Sequence, residues 1–122
     1  MIDERIRTAL SPLGLPIEPN EYEGTEREYI SYVYSELGAL YANSRPNAVR
    51  YLLDVHWYLP RGKRPERGKD QIRHLLLAAG ATWPNIVNAS DKEGQHYVFE
   101  CEMLGAVPTM PEDPEEPDDG EL

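Results

Sequence analysis

The sequence predicts an α+β fold, a small sheet of about four strands with two helices packed on one face. Three observations carry that prediction. From Val49 to Leu59 every odd position (Val49, Tyr51, Leu53, Val55, Trp57, Leu59) is apolar or aromatic, while the even positions include Arg50, Asp54 and His56. A period of two places one face of a strand in a core and the other in a wetter setting. His96 to Leu104 alternates in the same way, with Tyr97, Phe99, Cys101 and Met103 inward and His96, Glu100 and Glu102 opposite. Two stripes at helical spacing flank these strands, Ile2, Ile6, Ala9, Leu10 and Leu13 first, then Ile72, Leu75, Leu76 and Ala79.

In chain order, the first helix ends near Ser11-Pro12 and Gly14, where proline and glycine interrupt the pattern. Pro16 to Pro19 is extended at most. Tyr29 to Glu36 is rich in aromatic and β-branched residues and reads as a strand. Leu37 to Pro46 reads as a loop of about ten residues, longer than a tight hairpin needs. The second helix starts between Pro65 and Asp70 and stops at Gly80, which sits where a left-handed cap residue is required. Asp91 to Gly94 supplies the turn before the last strand.

The chain has 122 residues, room for one domain, which we place at 1–110. Its net charge is −10, so the molecule as a whole repels nucleic acid and anionic membranes. No apolar run reaches membrane-spanning length, and the first ten residues lack the apolar core of a signal peptide. A single cysteine, Cys101, excludes an internal disulfide and provides no zinc set. The last twelve residues, 111–122, hold seven acidic side chains, three prolines and no base. Such a segment cannot bury enough surface to offset its ordering entropy, and disorder is the expectation. Removing its seven charges takes the total from −10 to −3. The opposite sign gathers at Arg61 to Arg73, where Arg61, Lys63, Arg64, Arg67, Lys69 and Arg73 outweigh Glu66 and Asp70.

A search for chemistry returns little. His56, His74 and His96 match no metal spacing, although Asp54 and His56 on one strand and His96 and Glu100 on another leave a carboxylate–imidazole cluster open as a rival reading. Gly62 and Gly68-Lys69 do not make a phosphate loop, because the spacing is wrong and Asp70 stands where Ser or Thr is required. Cys101 falls on an inward face and reads as a small core residue. No catalytic residue, metal ligand or cofactor is assigned.

The order of features nonetheless carries a resemblance. A short helix beginning MIDERI leads to a Pro-Ile extended piece. Tyr22-Glu23-Gly24 then precedes the strand from Tyr29 to Tyr34. The alternating Leu53-Asp54-Val55-His56-Trp57, a helix ending LLLAAG at Leu75 to Gly80, and a final strand with Tyr97 near its start complete the series. Over roughly residues 1–104 this resembles the tail-terminator, or tail-completion, proteins of long-tailed bacteriophages. The resemblance implies a non-enzymatic ring, typically hexameric, located in the virion tail at the head–tail junction after synthesis in the host bacterial cytoplasm. Its implied partners are copies of itself, the major tail tube protein and a head-completion protein, with no membrane and no sequence-specific nucleic acid. Capping the head-proximal end of the tube would stop polymerisation and present the head-joining surface.

A head-to-tail ring needs two different complementary patches on each subunit. Exposed ion pairs contribute only about 0.2–1 kcal/mol each, so apolar burial must accompany charge. We therefore expect Tyr32, Tyr34, Leu52 and Tyr58, on the less buried sheet face or near its edge, to supply apolar contact. Tyr41 in the long loop is the expected anchor, and Arg61, Lys63, Arg64 and Arg67 the expected docking charges. Asp54, Glu100 and Glu102 are expected to line a lumen that does not retain DNA. The rivals are a head-completion or connector protein, a nucleic-acid-binding module built on the basic segment, and a small metal-dependent module.

Overall fold

The computed structural model describes residues 1–42 and 45–107. The expected tail at 111–122 lies outside the described residues, and so do Asn43 and Ser44. Two helices and a short 3-10 turn lie against one mixed sheet: α1 (Ile2–Leu10), the turn Ser11–Leu13, β1 (Ile17–Pro19), β2 (Tyr29–Ala42), β3 (Arg45–Leu59), α2 (Glu66–Ala78), β4 (Asn85–Asn88) and β5 (Gln95–Ala106). The fold is α+β. The sheet has five strands in the order β1-β2-β3-β5-β4 rather than about four. The additional strand is β4, whose NIVN is too short and too polar to show a period of two. Only β1 runs parallel to its neighbour; the other pairings are antiparallel.

Register decides which residues meet the helices. Across β2, β3 and β5 the rows Ile30–Trp57–Tyr97, Tyr32–Val55–Phe99 and Tyr34–Leu53–Cys101 share one face. Ile2, Ile6 and Leu10 of α1, and Ile72 and Leu76 of α2, join them in the core. The i, i+4 spacing of those helical residues makes a single apolar stripe on each helix. The placement of Tyr32 and Tyr34 on the less buried face is corrected by this register. Tyr32 is fully buried beneath the helices and Tyr34 is half-buried beside it. Both hydroxyls donate to Asp3 in the first turn of α1, Tyr32 at 2.6 Å and Tyr34 at 3.0 Å, so the tyrosines bind the helix to the sheet. Burial, followed by the Asp3 hydrogen bond, pushes the Tyr32 phenol up to about 12.

The ten-residue loop from Leu37 to Pro46 is also corrected. β2 continues through Leu37 to Ala42 and β3 begins at Arg45, so the two strands form one long hairpin in a single register from Tyr29↔Tyr58 to Ala42↔Arg45, its pairing interrupted at Leu40. Gly38, two alanines and a proline conceal this from a propensity reading, but cross-strand pairing overrides weak local preference. Leu40 within the hairpin takes a left-handed φ of 54°, an uncommon setting for leucine, and is 66% exposed.

The termination of α2 follows the sequence reading. Gly80 has φ 97° and donates to the Leu77 carbonyl, while Ala81 donates to Leu76. That pair of bonds satisfies the last carbonyls of the helix in a Schellman arrangement. At the other end of α2, Gly68 lies against the Trp57 ring in space that a Cβ would fill. The Trp57 indole N–H donates to Glu28 at 3.0 Å, and Lys63 pairs with the same carboxylate. No helix among the described residues is long and apolar enough to cross a membrane.

Candidate functional site

Both helices pack on the same side of the sheet, which leaves its other face without a covering element among the described residues. Reading across β2, β3 and β5, this open face presents the rows Tyr29–Tyr58–His96, Ser31–His56–Val98, Val33–Asp54–Glu100, Ser35–Leu52–Glu102 and Leu37–Arg50–Leu104. β4 adds Val87 and Asn85 beside Val98 and Glu100.

One end of the face is aromatic. Tyr22 stacks on Tyr29 with centroids 4.3 Å apart, Tyr29 on Tyr58 at 4.7 Å, and Tyr58 on His96 at 4.1 Å. Stacked aromatic neighbours contribute beyond their area, and here three pairs run in series, the last two of them across strands. The ladder ends in an imidazole pair, with His56 Nδ1 and His96 Nε2 separated by 2.8 Å. One nitrogen must donate and the other accept, so the pair holds one proton between them and not two. Burial lowers both histidines below their ordinary value, and the His56 charge lowers His96 further.

The middle of the face is acidic and apolar together. Asp54 stands directly opposite Glu100. Glu102 lies one row along on the same face, with Arg50 at 3.9 Å. Val33, Leu52, Val87 and Leu104 surround these carboxylates and are each more than a third exposed. A depression of about 510 Å³ gathers Val33, Leu52, Asp54, Trp83, Glu100 and Glu102. Trp83, 67% exposed, went unremarked in the sequence because a lone aromatic beside a proline carries no period.

The expected residues therefore divide. Asp54, Glu100, Glu102, Leu52 and Tyr58 come together on the open face; Tyr32 and Tyr34 lie on the covered one. Tyr41 is 65% exposed, in the hairpin rather than in a loop. Arg61, Lys63, Arg64 and Arg67 form a separate corner leading into α2. Within it Arg61 donates to the Lys92 carbonyl and Lys63 is engaged by Glu28, while Arg64 and Arg67 have no carboxylate partner among the described residues. Cys101 is buried under α1 and α2, and burial pushes its thiol up to about 11, as a core residue requires. Among the described residues no group of three His, Cys, Asp or Glu side chains is arranged to hold a metal.

No protein-family model and no curated protein matches this chain. Among solved structures, one chain whose name states no function shares the fold with a TM-score of 0.51 and 10% identity, over 90% of this chain and 96% of that one. At that identity the likeness speaks to architecture alone.

Proposed function

We propose that this chain is a structural tail terminator of a long-tailed bacteriophage, assembling as a ring on the head-proximal end of the tail tube, arresting tube growth and offering a surface to the head-completion protein. The observation that carries the reading is the two-sidedness of the sheet. α1 and α2 pack on one face, and the other displays exposed apolar side chains among carboxylates, with no nucleophile, base and orienting group in hydrogen-bonded series among the described residues. A face of that composition suits contact with protein, since apolar area supplies lifetime and charge supplies orientation. The order of elements over residues 1–104 supports the same reading.

The carboxylates Asp54, Glu100 and Glu102 suit either a subunit contact or a lumen through which DNA passes without sticking. The test is electron microscopy of tails assembled with and without this protein. Tubes of uncontrolled length in its absence, and tubes of normal length that join filled heads in its presence, are expected. Normal tails from a deletion phage would remove the reading.

A further inference from the structure

We propose that the open face of the sheet is one half of a head-to-tail contact, and that its other half is the Arg64–Arg67 corner of a second copy of this chain. The inference rests on the ring-forming reading above and adds the two surfaces that meet.

The face has the size and composition of a contact. Three strands about 4.8 Å apart carrying five rows about 6.7 Å apart, with two further positions from β4, give a platform of roughly 550 Å² before side-chain relief. A standard interface buries about 800 Å² per partner, so this platform is most of one side. Val33, Leu37, Leu52, Val87 and Leu104 are exposed across it, between 36% and 54%, and no helix among the described residues covers them.

Charge selects the occupant. Asp54 and Glu100 oppose each other across β3 and β5, and like charges in that position are mutually unfavourable. Arg50 approaches Glu102 alone, at 3.9 Å. At the basic corner the imbalance is reversed. Arg67 sits in the first turn of α2, where the helix dipole disfavours a cation, and neither it nor Arg64 has a carboxylate partner among the described residues. Each patch is unfavourable by itself and would be relieved by the other. They cannot meet within one copy. Arg64 and Arg67 line a cleft over Trp57 and Ile72 on the helix-covered side, and the carboxylates are on the opposite face at mid-strand. A second copy pairs one patch of each kind, and because the patches differ, the pair is left with one free open face on one copy and one free basic corner on the other. The depression at Asp54 and Glu100 offers carboxylates to an arriving guanidinium, beside the Trp83 ring, over which this chain's own Arg73 lies at 5.2 Å.

Charge exchange tests the contact, read by sedimentation velocity of the full chain at low salt over a range of concentrations. Concentration-dependent association of the wild type is expected. Arg64→Glu with Arg67→Glu should weaken it by about tenfold or more, and Glu100→Lys with Glu102→Lys should do the same. Combining all four changes in one chain should restore association to within about threefold of wild type, because the two charges have traded places. Glu100→Gln with Glu102→Gln, which keeps the side-chain shape, should show a smaller loss in the same direction. A wild type that stays monomeric at millimolar concentration, charge-reversed chains that associate normally, or a fourfold exchange that fails to restore association would each overturn the contact. A chain that associates as described yet leaves tube growth unchecked retains the contact and loses the terminator reading. Charge-reversed chains that still cap tubes normally do the reverse.

Discussion

On β5, Phe99 and Met103 are closed off beneath the helices, whereas Glu100 and Leu104, one residue along from each, face solvent on the other side of the same backbone. The same division runs through β3, where Val55 and Trp57 are buried and Leu52 is 38% exposed. Covered positions are fixed by packing, since a close-packed interior registers the loss of even a methylene. Ser31 and Val98 on the open face are also buried, but its exposed positions answer only to water or to a partner. They can therefore carry the opposed carboxylates of Asp54 and Glu100 interleaved with exposed apolar groups, a mixture that the covered side would not accommodate.

That contrast is testable on single strands. Val55→Asp should have the largest effect, placing an unpaired carboxylate in the core at a cost of several kcal/mol, on the order of 3–5, and denaturant titration should find little folded protein. Phe99→Ala on the covered face should lose about 3–5 kcal/mol, against less than about 0.5 kcal/mol for Leu104→Ala on the open face. Similar losses for the last pair would mean that something covers the open face in the isolated protein.

Asp3→Ala tests the fastening of helix to sheet. It strips two tyrosine hydroxyls of their acceptor, one of them fully buried, and should cost about 1–3 kcal/mol in the same titration. Because the Tyr32 phenol is raised from 10.0 to about 12 in the folded protein, the unfolded chain releases that proton first as pH rises. The contribution is intact below pH 10 and is lost between pH 10 and 12, and Tyr32→Phe should flatten the fall in melting temperature over that interval.

A smaller effect belongs to the open face. His56 and His96 are held below their ordinary 6.5 by burial, so the unfolded state takes up protons first as pH falls. Stability is then fully present above pH 6.5 and declines as pH drops below it. His96→Gln should weaken that decline in thermal melts, and an unchanged slope would show that the pair is not its source. The smallest change expected is from Arg64→Ala with Arg67→Ala, within about 0.5 kcal/mol of wild type in stability, because both side chains are exposed and without an ion partner.

Much of this architecture was legible in the amino-acid order. The alternation of Val49 to Leu59 and of His96 to Leu104, the helical stripes and the Gly80 stop all reflect local periodicity, which one sequence displays directly. Asp54, Glu100 and Glu102 were correctly assigned to the faces of their strands for the same reason. The strand segments Leu37 to Ala42 and Arg45 to Pro46 were not legible, since Gly38, Ala39, Ala42 and Pro46 are poor strand formers and cross-strand pairing overrides their local preference. Tyr32 and Tyr34 were misplaced even though Ser31 and Ser35 mark the opposite face as the more polar one. Tyrosine hydroxyls and the apolar Tyr29 and Val33 blur the alternation, and a one-residue choice reverses every side chain.

The sequence by itself determined the two helices, most of β2, β3 and β5, and how β3 and β5 divide into apolar and polar faces, because those depend on neighbours a few residues apart. Tertiary structure alone decided that both helices lie on one side, that Asp54 opposes Glu100, that His56 meets His96, and that an aromatic ladder crosses three strands. Those facts depend on register between segments distant along the chain, and register is set by the collective burial of the core rather than by any short run of residues.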